Sequence, residues 1–78
     1  MNKKIKDKIP RKLSLVKFDF TDLPLEYHSS YPFIKEQRYL FLGEIANMPG
    51  HCAVIGDNSV TYFGYHTENF IELTEDEL

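Results

Sequence analysis

With 78 residues, the chain has room for one domain and not for two, since independent domains rarely fall much below about 50 residues. Its single cysteine, Cys52, excludes an intrachain disulfide and with it the disulfide-stapled class of small secreted domain. No uninterrupted apolar run reaches the length of a membrane span or a signal peptide, so a cytoplasmic protein without membrane partners is expected.

The net charge of −3 is unevenly spread, because residues 1–12 hold Lys3, Lys4, Lys6, Lys8, Arg11 and Lys12 against Asp7 alone. That stretch reads as a basic flexible leader, with residues 1–8 expected to be disordered. A basic arm on an acidic body suits nucleic acid or acidic lipid, while the plainer reading is a solvated terminus. The body spans residues 13–73, and residues 74–78 form an acidic flexible tail, with Glu75 to Glu77 expected to fray.

The body begins with a strand from Leu13 to Phe20. Leu13, Leu15, Phe18 and Phe20 keep no single alternation, which predicts a bulge or break near Lys17. Residues 21–37 make a long excursion in which the turn formers Asp22, Pro24, Ser29, Ser30 and Pro32 separate Leu23, Leu25, Tyr27, Tyr31 and Phe33. A loop so rich in aromatic residues is expected to pack on the body, and long loops in compact domains commonly carry function.

Arg38 to Ile45 has the clearest strand pattern, with Tyr39, Phe41, Gly43 and Ile45 on one face and Leu40, Leu42 and Glu44 on the other. Asn47, Met48, Pro49 and Gly50 predict a type II turn, because Pro fixes the first central φ and Gly supplies the positive second one. His51 to Ile55 forms a third strand, Gly56 to Asn58 a tight hairpin connection, and Ser59 to Tyr65 a fourth strand rich in Thr, Tyr, Phe and Val. After the polar step Thr67 to Asn69, Phe70 to Leu73 closes the domain. Short strands joined by tight turns favour a small closed barrel. Tyr39, Phe41 and Phe70 are its expected core, and Tyr65 an expected surface residue.

The segment Gly64, Tyr65, His66, Thr67, Glu68, Asn69, Phe70, Ile71, Glu72, Leu73 resembles the closing segment of Src-homology-3 domains, where Gly-Tyr-apolar-Pro-Ser-Asn-Tyr-Val makes a strand end, a 3₁₀ turn and the last strand. Phe33 to Leu42 is similar to that family's diverging turn and second strand. The resemblance spans about residues 13–73 and implies a mainly β, SH3-like barrel of about five antiparallel strands with a short 3₁₀ turn before the last. Its departures bear on function. Peptide-binding members use a Trp, a Pro and a Tyr to build grooves for polyproline II ligands. Here Trp is absent, the Pro position is Thr67 and the Tyr position is Phe70, so that groove is not expected. The run Leu42 to His51, with the later Gly-Tyr-His, is also similar to small uncharacterised bacterial proteins.

Chemistry-bearing residues are few. His51, Cys52 and His66 flank the third and fourth strands, and a thiol beside a histidine can serve as a nucleophile or, with His28 or Asp57, as a zinc ligand. Their spacing matches no recognised signature, and a lone strand Cys is usually a small buried hydrophobe. The four glycines are scattered singly, so no phosphate-binding loop is present. Tyr62, Phe63, Tyr65 and Phe70 suit base stacking, but the body carries only Lys17, Lys35 and Arg38 against its acids, where phosphate binding needs a basic groove.

The reading that results is a non-catalytic binding or regulatory module for a protein partner, with no cofactor and no metal. Its contact surface draws on Tyr27, Tyr31, Met48, His51, Tyr65, His66 and Glu68, placed by the resemblance and consistent with the aromatic and Met enrichment of interfaces. The alternatives are a nucleic-acid-associated protein using the leader and a small metal-dependent or thiol enzyme using His51, Cys52 and His66.

Overall fold

The computed structural model describes residues 9–78; the expectation of disorder for residues 1–8 lies outside them. The architecture is mainly β, with five antiparallel strands in one sheet: β1 (Leu15–Phe18), β2 (Tyr39–Glu44), β3 (His51–Ile55), β4 (Thr61–His66) and β5 (Phe70–Glu72). Strand order is β4-β3-β2-β1-β5, which places the best-patterned segment, β2, at the centre. Its pairing with β3 is the one expected. Short 3₁₀ turns occupy Leu25–Ser30, Thr67–Asn69 and Glu75–Glu77. The second of these lies where the polar step predicts a turn before the last strand. No ladder joins β4 to β5, so the sheet is open in its hydrogen bonding.

Period-two side-chain alternation sorts each strand into an inner and an outer face. Val16 and Phe18 of β1, Tyr39 and Phe41 of β2, Cys52 and Val54 of β3, and Phe70 of β5 point inward and are almost wholly buried. Phe33, from the long loop, completes this cluster. Its ring stacks on Phe18 at 4.8 Å and meets Tyr39, Tyr62, Tyr65 and Phe70 edge-on at 4.9 to 5.3 Å. These are favoured aromatic geometries, and they anchor the loop on the body. The Tyr39 hydroxyl accepts the Ile34 backbone N–H at 3.0 Å, which supplies the partner a buried phenol needs. Gln37 Nε2 donates to Asp57 Oδ1 at 2.9 Å and ties the loop to the β3–β4 hairpin.

Two register shifts curve the sheet. Between Phe41 and Gly43 the β2–β3 ladder gains an extra residue, and between Cys52 and Ala53 the β3–β4 ladder gains another. Gly43 (φ 111) and Gly64 (φ 83) occupy these points in backbone conformations that disfavour a Cβ. Both bulges border Ala53, whose partners are Gly43 on one side and Phe63 on the other. Extra residues on both neighbours of one strand bend the sheet along a line and raise its local twist.

One segment differs from expectation. β1 runs unbroken through Lys17, and its buried residues are Val16 and Phe18, while Leu13 is 63% exposed. The irregular point is Leu13 itself, at φ 69. The break predicted at Lys17 is absent because β1 pairs on both sides, with β2 and β5, and Lys17 turns outward to Glu77 at 2.7 Å. At the acidic end, Thr74 and Glu77 form a capping box, and the Arg38 guanidinium donates to the Glu77 carbonyl. These contacts tie Glu75–Glu77, in the acidic tail, to the body. Arg11, in the basic leader, binds Glu72 through its backbone N–H at 3.0 Å and Nε at 2.8 Å.

Turn chemistry follows the sequence at two hairpins. His51 N–H bonds to Met48 C=O at 3.0 Å around Pro49 and Gly50, the latter at φ 79, as a type II turn requires. The β3–β4 connection is closed by Ser59 N–H on Gly56 C=O and Gly56 N–H on Val60 C=O. Ser59 takes the positive φ (66) that commonly falls to glycine in three-residue loops.

Candidate functional site

The seven expected contact residues separate into groups. Cross-strand partners share a face, so the register Cys52↔Tyr65 puts Tyr65 on the inner side and His51↔His66 puts both histidines on the outer side. Tyr65 is half-buried, resting edge-on against Phe33 at 4.9 Å and 6.3 Å from the Tyr31 ring. Tyr31 in turn packs on Phe18 at 5.0 Å. The two tyrosines therefore form a rim where the long loop meets β4, with Phe33 behind them.

On the outer side the His51 and His66 rings lie 4.5 Å apart, tilted by 38°. His51 Nδ1 is 3.0 Å from the Pro49 carbonyl, which fixes that ring against its own turn. Met48 lies over Gly64, its Cε 4.0 Å from where a side chain on that glycine would begin. Met48, His51 and His66 thus gather at the β2–β3 turn. Tyr27, in the first 3₁₀ turn, is half exposed, and Glu68 is exposed in the turn after β4. Neither makes a ring contact or hydrogen bond with the other five among the described residues.

The set His51, Cys52 and His66 is not brought together on one face. Cys52 is 1% exposed, and burial pushes its thiol up to about 11, with a further small rise from Glu44. The Thr67 hydroxyl, which favours the thiolate by hydrogen bonding, offsets only part of that rise. Thr67 Oγ1 is buried and has no hydrogen-bond partner of ordinary geometry, so its effect on the thiol is weak. Among the described residues no group of three or more His, Cys, Asp or Glu is arranged to hold a metal ion.

A cleft of about 410 Å³, which the sequence did not single out, opens between the first 3₁₀ turn and the β1–β5 end of the sheet. Phe20, Leu23, Leu25 and Ile71 supply its apolar lining, with Lys35 and His28 among its polar groups. His28 Nε2 is 2.9 Å from the Leu23 carbonyl and its ring lies 4.8 Å from Phe20. Lys17, also on the wall, is engaged by Glu77 and Glu36. The available signal was the alternation of Phe20, Leu23 and Leu25 with turn formers. That pattern predicts packing but not the gap it leaves. The cleft shares no residue with the expected contact set.

Among the described residues no helix is long and apolar enough to cross a membrane. No protein-family model, no curated protein and no solved structure matches this chain.

Proposed function

We propose that the chain is an SH3-like domain acting as a non-catalytic protein-binding module, with the Tyr31–Tyr65 rim at the centre of its contact surface. The fold half of this reading is supported by three features together: the strand order β4-β3-β2-β1-β5, a long aromatic loop between β1 and β2, and a 3₁₀ turn directly before β5.

The observation that carries the binding half is the state of the rim. Two tyrosines, each only partly covered, are held by rigid packing on Phe18 and Phe33. Pre-ordered aromatic side chains offer large contact area at little further entropic cost, which is why such residues dominate interface energetics. Met48, His51 and His66 extend the surface around the β2–β3 turn. Glu68 adds a charge of the sign the body already carries, so a partner with basic groups is favoured.

Affinity capture from the source cell, comparing the wild-type chain with Tyr31→Ala and Tyr65→Ala, tests the proposal. A partner retained by the wild type and lost by both variants, with circular dichroism unchanged, supports it. A partner retained equally by both variants places the contact surface elsewhere.

A further inference from the structure

The two edges of the sheet differ in how they meet solvent. At one edge β5 has only three residues, and its Glu72 is occupied by Arg11, so that edge is short and charged. At the other, β4 has six residues, Thr-Tyr-Phe-Gly-Tyr-His, without Lys, Arg, Asp, Glu or Pro. Short length, charge and proline are the usual devices by which an edge strand avoids pairing with another chain. β4 uses none of these. It has one bulge, at Gly64, which leaves Val60 to Phe63 regular. Phe63 is 68% exposed on the outer face and Val60 is 45% exposed.

The hydrogen-bond alternation shows which backbone groups of β4 face away from β3. Gly56 donates to Val60 C=O at 3.1 Å, and bonded and non-bonded pairs alternate along an antiparallel ladder. Val54↔Tyr62 is therefore a bonded pair, while Ile55↔Thr61 and Ala53↔Phe63 are non-bonded ones. The N–H and C=O groups of Thr61 and Phe63 accordingly point away from β3, to an edge that no other strand covers among the described residues. These two residues are symmetric about Tyr62. A second copy of the strand, run antiparallel across a two-fold axis at Tyr62, sets Thr61 opposite Phe63 of the second copy and Phe63 opposite its Thr61. All four outward groups on each strand then meet complementary groups. No like charges are opposed along the strand, although the body as a whole is acidic.

We infer that β4 is a self-association edge, through which a second copy of this chain pairs antiparallel to form a two-fold dimer with a continuous ten-stranded sheet. The Phe63 rings of the two copies lie on one face of that sheet at diagonal positions, within reach of aromatic contact. An isologous contact of this kind closes on itself and leaves no further β4 edge for growth. It uses the edge and outer face of β4, apart from the Tyr31–Tyr65 rim.

The test uses the full chain. Sedimentation equilibrium from the micromolar range to about 1 mM should show the mass rising from 9.2 kDa toward twice that value. Phe63→Lys, at a mostly exposed position, should associate at least about tenfold more weakly, because it brings two cations together at the pairing edge. In the wild type, amide exchange at Thr61 and Phe63 should slow with concentration while neighbouring loop amides do not change. A monomer mass throughout, a dimer that survives Phe63→Lys, or Thr61 and Phe63 amides exchanging equally fast at both ends of the concentration range would each overturn the inference.

Discussion

Replacing Phe33 by Ala should largely unfold the domain, although Phe33 sits in a loop and belongs to no strand. The ring is 5% exposed and touches Phe18, Tyr39, Tyr62, Tyr65 and Phe70. Phe→Ala in a core costs about 3–5 kcal/mol, from lost transfer energy and the cavity left behind. Aromatic pairs contribute about 0.5–1.5 kcal/mol each beyond their area, non-additively, which puts this site at the upper end of that range. A single core of this size supplies roughly 3–5 kcal/mol of net stability, so the loss is comparable to the whole. Phe33→Leu keeps most of the volume and loses the ring geometry, at a cost of about 1–2 kcal/mol. That corresponds to a fall in Tm of roughly 5–15 °C. Phe63→Ala, on the outer face, should stay within about 0.5 kcal/mol of wild type. Urea unfolding followed by far-ultraviolet circular dichroism, fitted with a shared m-value, orders the three variants. A Phe33→Ala midpoint equal to that of Phe63→Ala would refute the reasoning, since the loop would then contribute nothing to the core.

Gly43→Ala places a Cβ at φ 111, where space is adequate but the backbone is not, and should cost about 1–3 kcal/mol by the same urea assay. Cys52 should react at least about a hundredfold more slowly with a disulfide reagent in the native protein than an ordinary thiol at neutral pH, because its pKa lies at about 11 against 9.0. Its reaction should accelerate on adding urea. The Glu77 carboxylate is held down at about 2, first by Lys17 and then by the Thr74 backbone N–H. A depressed carboxyl stabilises the fold above its unfolded value, about 4.5, and loses that contribution as pH falls toward 2. The stability difference between wild type and Glu77→Gln should therefore be present at pH 7, vanish near pH 2, and shrink in high salt at pH 7, because the pair is only partly buried.

The number and approximate limits of the strands, and the pairing of β2 with β3, were legible because their signals are local. Proline and glycine fix the Pro49–Gly50 turn, and alternation puts Tyr39 and Phe41 on one face of β2. What was not legible depends on partners distant in sequence. At the start of the body, Leu13 and Leu15 are as apolar as Val16 and Phe18, and the two-sided pairing of β1 with Tyr39, Leu40 and residues 70–72 decides which of them point inward. The contacts of the acidic end were not legible because their partners, Lys17 and Arg38, lie 60 and 39 residues away. Of the contact set, the pairings Tyr31 with Tyr65 and His51 with His66 lie within the expected surface, while Tyr27 and Glu68 stand apart from them.

The division of that set between two faces comes down to one residue. In β4, Tyr62 and Tyr65 both pack on the core although they are three positions apart, an odd step that strict alternation forbids. The inserted Gly64 makes it possible: Phe63 stays opposite Ala53 on the outer face, and the register shift then returns Tyr65 to the inner side opposite Cys52. Without that shift Tyr65 would point outward beside Phe63, and His66 would enter the core space next to Thr67. The positive φ of Gly64 is thus what lets one short strand give an aromatic side chain to the rim over Phe33 and a histidine to the opposite face. Because Gly43 performs the matching shift on β2, across the same Ala53, the sheet bends along the row where its side chains change sides. Curvature of the sheet and composition of the candidate surface therefore have a common cause, two glycines flanking one alanine.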